Sequence, residues 1–173
     1  MQRGSFRSCD ELVMNAFAPN ASWAPVIFLL ATDHERLLDL ICAAPRSTPG
    51  LTLLGQELER AAIVAPERAP SDLVQLRSIV TFTDLERGAQ RTAQLVPSGQ
   101  RTGSHRISVA TPIGAALIGL RAGDTFRWRS PRGRLRTLRV DRVAPDPHAA
   151  ERRQTRLDAA RRRRIAELLS LPD

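Results

Sequence analysis

The chain contains no lysine and no tyrosine, and its aromatic residues stop at five phenylalanines and two tryptophans. A core must therefore rest on Leu, Ile, Val and Ala, which the 42% hydrophobic fraction supplies, so a folded chain is expected and not a disordered one. Two cysteines, Cys9 and Cys42, fit neither a CxxC nor a metal-ligand spacing and read as isolated thiols of a reducing compartment. Long hydrophobic runs are missing. The longest, residues 23–31, is far below the roughly 20 residues of a spanning helix, and it leads into Thr32-Asp33 rather than a small-residue cleavage site. A cytoplasmic protein without membrane contact is expected. Absent too are GxSxG, Walker, GxGxxG and HExxH motifs, and His34, His105 and His148 are scattered. No catalytic residue, cofactor, metal or small-molecule substrate is therefore assigned, and the chain is not read as an enzyme.

What is abundant is arginine, and unevenly. All 26 basic residues are Arg; residues 1–100 hold 9 against 11 acids, while residues 101–173 hold 17 against 7. A basic C-terminal half calls for an acidic protein surface or a nucleic acid as partner. Arginine also grips carboxylate and phosphate as a bidentate fork, which lysine cannot do.

The apolar pattern divides the chain into four stretches. Residues 1–24 are a weakly patterned extension. Within 25–66, the run PVIFLLA precedes Thr32-Asp33-His34-Glu35, which has the form of a capping box, so a helix is expected to residue 44 with Leu37, Ile41 and Ala44 on one face. Pro45 and the RSTPG cluster end it. Leu51, Leu54, Leu58, Ala61 and Ala65 then recur at 3-4 spacing, predicting a second helix over 51–64 that packs back on the first as a short antiparallel coiled-coil hairpin. Over 70–145 the period changes to two. Strands are expected at 79–83, 91–96, 106–110, 125–129 and 135–143, with a buried helix at 113–120 opened by Thr111-Pro112. The fold class is thus α+β, a mostly antiparallel sheet with one buried helix. Residues 146–173 read as a basic helical tail carrying Arg161 to Arg164.

Three stretches carry a family resemblance: PSDLVQLRSIVTFTDL at 70–85, ISVATPIGAALIGLRAGD at 107–124, and Pro131-Arg132-Gly133 before the last strand. In order and spacing they resemble the C-terminal domain of the Gre-type transcript-cleavage factors. With QELERA at 56–61 and so short a hairpin, the chain resembles the nucleoside diphosphate kinase regulator (Rnk) family within that superfamily. The resemblance implies an FKBP-like C-terminal domain and a bacterial RNA polymerase partner met at the rim of its secondary channel. It implies docking through Thr111, Pro112, Ile113 and Gly114, with Asp84 beside them, and Ile113 is expected to stand exposed as an apolar anchor.

Gre factors use acids at the coiled-coil tip to hold a catalytic Mg²⁺, but residues 44–53 contain no Asp or Glu, and Asp39 and Glu57 lie more than a turn back. Binding without stimulation of cleavage is therefore expected. An FKBP-like fold invites a prolyl-isomerase reading, yet only Phe82, Phe126 and Trp128 are at hand to wall such a pocket. Arg127 and Arg129 share a strand face, and Arg132, Arg134 and Arg136 follow, giving a basic ribbon. Two alternatives stay open: a nucleic-acid-binding protein working through this Arg-rich half, and an active Gre-like cleavage and elongation factor.

Overall fold

A computed structural model describes residues 25–97, 105–130, 132–148, 158 and 162–164. The chain enters through strand β1 (Phe28–Leu30), which passes directly into helix α1 (Ala31–Cys42). The capping box expected at Thr32 does not form. The N-cap is Leu30, without a side-chain cap bond, and Thr32 lies inside the first turn. Asp33, which a box would leave in solvent, is buried; it accepts the backbone N–H of Leu76 at 3.1 Å and pairs with Arg36 at 3.4 Å. A tertiary hydrogen bond has thus displaced the local capping pattern.

Helix α2 (Pro49–Arg60) starts two residues earlier than expected, because Pro49 takes the first helical position, where a missing N–H costs nothing, and Thr48 caps it by accepting from Leu51 N at 3.3 Å. The helix also stops short of residue 64. Strand β2 (Ala62–Val64) pairs parallel with β1, Phe28 opposite Ala62, and the Ala62 N–H reaches Ile27 O at 2.9 Å. Cys42, at the end of α1, is disulfide-bonded, where the sequence pattern points to isolated thiols.

After a 3-10 turn (Pro66–Arg68) come β3 (Ile79–Asp84), β4 (Ala89–Val96), β5 (Arg106–Ser108), helix α3 (Pro112–Leu117), β6 (Thr125–Arg129) and β7 (Leu135–Ala144). They form one sheet in the order β5-β4-β3-β7-β6, antiparallel except where β4 meets β5. The third strand ends at Ser108, since Val109 and Ala110 turn into the helix. The period-two pattern gives each strand an inner and an outer row: Val80, Phe82, Ala93, Leu95, Phe126, Leu138 and Val140 are buried on one face.

On that face lie α3 and the buried run Gly114 to Leu120, and helices α1 and α2 join the same cluster through Leu37, Leu54 and Leu58. Ile41, Ala44 and Ala61 are half-buried beside it, whereas Ala65 is exposed. The two helices are therefore part of one hydrophobic body with the sheet, α2 resting on α3.

Arg60 is a joint between these parts. It pairs with Glu57, donates to Pro25 O at 2.6 Å, and lies over the Phe126 ring at 5.8 Å. Burial pushes the Glu57 carboxyl above its ordinary range, against the pull of Arg60. Of the expected basic tail, Arg162 to Arg164 are helical and exposed; most of 146–173 falls outside the described residues, as does the extension 1–24. Among the described residues no helix is long and apolar enough to cross a membrane.

Candidate functional site

The turn between β5 and α3 is built by its own polar atoms and by two close backbone approaches. Thr111 Oγ1 donates to Ser108 O at 2.7 Å and accepts from Gly114 N at 3.2 Å, so one hydroxyl closes the turn and caps the helix. Ser108 Oγ accepts from Ala110 N at 3.2 Å. A Cβ on Gly114 would sit 2.0 Å from Ser108 O, so only glycine permits this turn to close. Gly50, in the first turn of α2, makes the same kind of approach from outside: its missing Cβ would lie 2.0 Å from Ala110 O. The first turn of α2 is therefore packed on the very turn singled out in the sequence.

Beside the turn the inner face of the sheet is not covered by α3, and a groove of about 530 Å³ opens there. Its apolar wall is Ile107, Pro112, Ile113 and Trp128; Ser108, Thr111 and Ser130 supply hydroxyls; Arg91, Arg106 and Arg136 supply charge. Register explains the convergence. Arg91 stands opposite Phe82 and Arg136 opposite Trp128, so both guanidiniums project from the inner row at the end where the core runs out. Trp128 packs on Phe126 with ring centroids 6.3 Å apart and remains half-buried.

The three arginines differ in state. Arg136 is bound to Asp84 and lies 3.9 Å from Glu86. Burial would raise the Glu86 carboxyl, but hydrogen bonds from Thr137, with its N–H at 2.7 Å, and the charge of Arg136 hold it below its ordinary range. Arg91 and Arg106 are exposed, and neither makes an ion pair among the described residues.

Thr111, Pro112 and Ile113 thus line one groove, and Asp84 reaches its edge through Arg136. Two expectations are corrected. Gly114 is buried and shapes the turn rather than offering a contact, and Ile113 is half-buried against the core rather than fully exposed. The basic ribbon is also divided. Arg127 and Arg129 are exposed on the outer face and Arg132 and Arg134 in the following turn, but Arg136 is an inner-face residue already neutralised by Asp84. Neither Phe82 nor Phe126 reaches the groove, both being core residues, so Trp128 is its one aromatic wall among the described residues. Sequence reasoning missed Arg91 and Arg106. Arg91 carries a usable signal, since alternation from the buried Leu95 and Ala93 puts it on the inner row; Arg106 stands opposite Gln94, off that row, and lines the groove from the edge strand β5, which alternation along the chain does not show.

Comparison with known proteins agrees with this architecture. Residues 69–145 match the family described as transcription elongation factor GreA/GreB, C-terminal, and residues 25–64 match the Rnk N-terminus. The solved prokaryotic transcription elongation factor GreA/GreB from Nitrosomonas europaea is 34% identical, superposes with a TM-score of 0.54, and is matched over 99% of its length and 70% of this chain. GreA from Bacillus licheniformis is 31% identical over 49% of this chain and 54% of its own. The sheet, its buried helix and the turn between them thus define a GreA/GreB-type C-terminal domain. The regulator of nucleoside diphosphate kinase from Escherichia coli is 37% identical over 129 residues, 73% of this chain and 94% of that protein. The chain belongs to this Rnk family.

Proposed function

We propose that the chain is a non-catalytic regulator of transcription elongation that binds bacterial RNA polymerase at the rim of the secondary channel and does not stimulate transcript cleavage. The docking element is the Thr111-Pro112-Ile113 turn with its groove, and the hairpin is the shortened counterpart of the Gre coiled coil. Family membership supports the elongation-related part of this reading. The observation that carries the absence of cleavage stimulation is the hairpin loop, residues 43–48, which contains Arg46, Ser47 and Thr48 but no carboxylate. Mg²⁺ needs oxygen ligands, and a guanidinium near its site would repel it. Helices of 12 residues also reach only ~18 Å, and the start of α2 is folded down on Ala110.

The test is a stalled elongation complex with a labelled transcript. The chain should bind core polymerase and compete with GreA while the transcript keeps its length. Shortening above the intrinsic rate would establish the Gre-like alternative instead. A second reading, nucleic-acid binding, is favoured by the exposed outer-face pair Arg127 and Arg129 with Arg132 and Arg134 beside them.

A further inference from the structure

The groove has a chemical polarity that the docking reading does not use. One side is apolar, formed by Trp128, Ile113 and Pro112, and two guanidiniums, Arg91 and Arg106, stand on the adjoining strands β4 and β5. Both arginines are exposed and make no ion pair among the described residues, while the third, Arg136, is occupied by Asp84. We infer that the groove is a recognition site for a short acidic peptide segment of a protein partner, in which one or two carboxylates meet Arg91 and Arg106 and an adjacent apolar side chain packs against Trp128 and Ile113. This deepens the docking reading above, since it names the chemistry that the polymerase surface, or another protein, must present.

Charge and shape choose this occupant. Guanidinium forks match carboxylates in a planar, two-point geometry, and the pairing gains strength where an apolar wall keeps water away. A nucleic-acid strand fits less well. Its phosphates repeat along the chain, and beyond Arg136 they would run onto the side chains of Asp84 and Glu86, the two acids that face Arg136. A peptide carries its negative charge where it is needed and apolar groups elsewhere. Trp and Arg are also the side chains that most often dominate protein interfaces. The built turn beneath, with Thr111 closing on Ser108 and Gly114, keeps the apolar wall fixed in the free protein, so little ordering is required on binding.

The full-length ¹⁵N-labelled protein should be titrated with an acetylated, amidated pentapeptide alternating aspartate and leucine, followed through the indole N–H of Trp128 and the side-chain Nε–H of Arg91 and Arg106. A saturable shift of these signals is expected, absent with the lysine-leucine version of the peptide. Arg91→Glu with Arg106→Glu should weaken binding at least tenfold, as should the milder pair Arg91→Gln with Arg106→Gln, whereas Arg127→Glu with Arg129→Glu should leave it unchanged. No saturable shift, an equal response from the Arg91 and Arg106 variants, or tighter binding of a pentathymidylate at the same residues would overturn the inference; the last would make the occupant a nucleic acid. Binding to core polymerase, measured on the same variants, separates the two readings. Loss of peptide affinity with polymerase affinity retained leaves the acidic-peptide site standing and removes the groove from the polymerase interface.

Discussion

Gly50→Ala is the change that most directly tests whether the hairpin and the candidate turn are one piece. The added methyl would lie 2.0 Å from Ala110 O, 2.6 Å from Ala110 C and 2.7 Å from Thr111 C. All three are backbone atoms, so no side chain can rotate away. A carbon and an oxygen need roughly 3.4 Å, so α2 or the turn must move by on the order of 1 Å. Overpacking of this kind costs about 1–3 kcal/mol. Against it stands the gain from replacing glycine in a helix, at most about 1 kcal/mol and smaller in a first turn. The clash wins, with a net loss of about 2 kcal/mol, or a melting point lower by about 4–8 °C for a chain of this size.

Gly55 supplies the control within the same helix. The nearest heavy atom to its missing Cβ is Ile41 Cδ1 at 4.0 Å, an ordinary contact. Gly55→Ala should therefore raise the melting point by about 2 °C through helix propensity alone. Thermal unfolding followed by circular dichroism at 222 nm reads both variants. If Gly50→Ala melts at or above the parent protein, the close approach of α2 to Ala110 is not real and the docked hairpin falls with it.

Other consequences are as direct. Ile113→Asp should weaken polymerase binding by on the order of 2 kcal/mol; because Ile113 is half-buried it should also lower the melting point, and Ile113→Ala, with no buried charge, should keep most of the binding loss while unfolding closer to the parent. An affinity equal to the parent for both would remove the turn from the interface. The Asp141 carboxyl is held below its ordinary value of 3.8 chiefly by the Thr83 hydroxyl, with Gln90 and Arg139 adding to it against a smaller opposing effect of burial. A depressed folded value means stability that is present above 3.8 and lost as pH falls through the folded value. The stability gap between parent and Asp141→Asn should therefore be full at neutral pH and close at lower pH, as urea titrations at several pH values would show; a gap constant down to pH ~2 contradicts the assignment. If the outer face binds nucleic acid, Arg127→Gln with Arg129→Gln should lower the slope of log affinity against log salt by about 2, and an unchanged slope excludes those two phosphate contacts.

Much of the sheet is legible in the chain because its rows alternate cleanly. Ile79 to Thr83 and Thr125 to Arg129 are strands within a residue of where the pattern places them, and Thr111-Pro112 marks the helix start through chemistry that is wholly local. Residues 62–64 were not legible. Ala61 and Ala65 continue the helical spacing of Leu51, Leu54 and Leu58, and what turns the intervening AIV into a strand is its pairing with Phe28 to Leu30, more than thirty residues upstream. The same limit applies to Asp33, whose local role as part of a cap yields to Leu76, far along the chain. In the site, Thr111 and Pro112 are visible because a turn declares itself. Arg91 could have been placed by alternation from Leu95 and Ala93, whereas nothing local brings Arg106, opposite Gln94 on the edge strand, to the same groove. The Arg127 to Arg136 ribbon loses only Arg136, for a related reason: adjacency in sequence hides the parity that sends Arg136 inward and Arg127 and Arg129 outward.

The docked hairpin bears on how such a regulator acts. A projecting coiled coil delivers its tip to a site remote from the body, and its length then sets what it can touch. Here Leu54 and Leu58 are shared with the sheet core, Arg60 ties α2 to Pro25 and Phe126, and Gly50 rests on Ala110. The loop at 43–48 and the turn at 111–113 are therefore fixed in relation to each other by backbone contact and by common burial. Holding the turn against a partner also fixes where Arg46, Ser47 and Thr48 lie, and these residues offer no carboxylate for a metal. On the proposed reading, the effect on polymerase comes from occupying a surface and excluding competitors for it, and it is set by the affinity of the groove and not by chemistry at the hairpin tip.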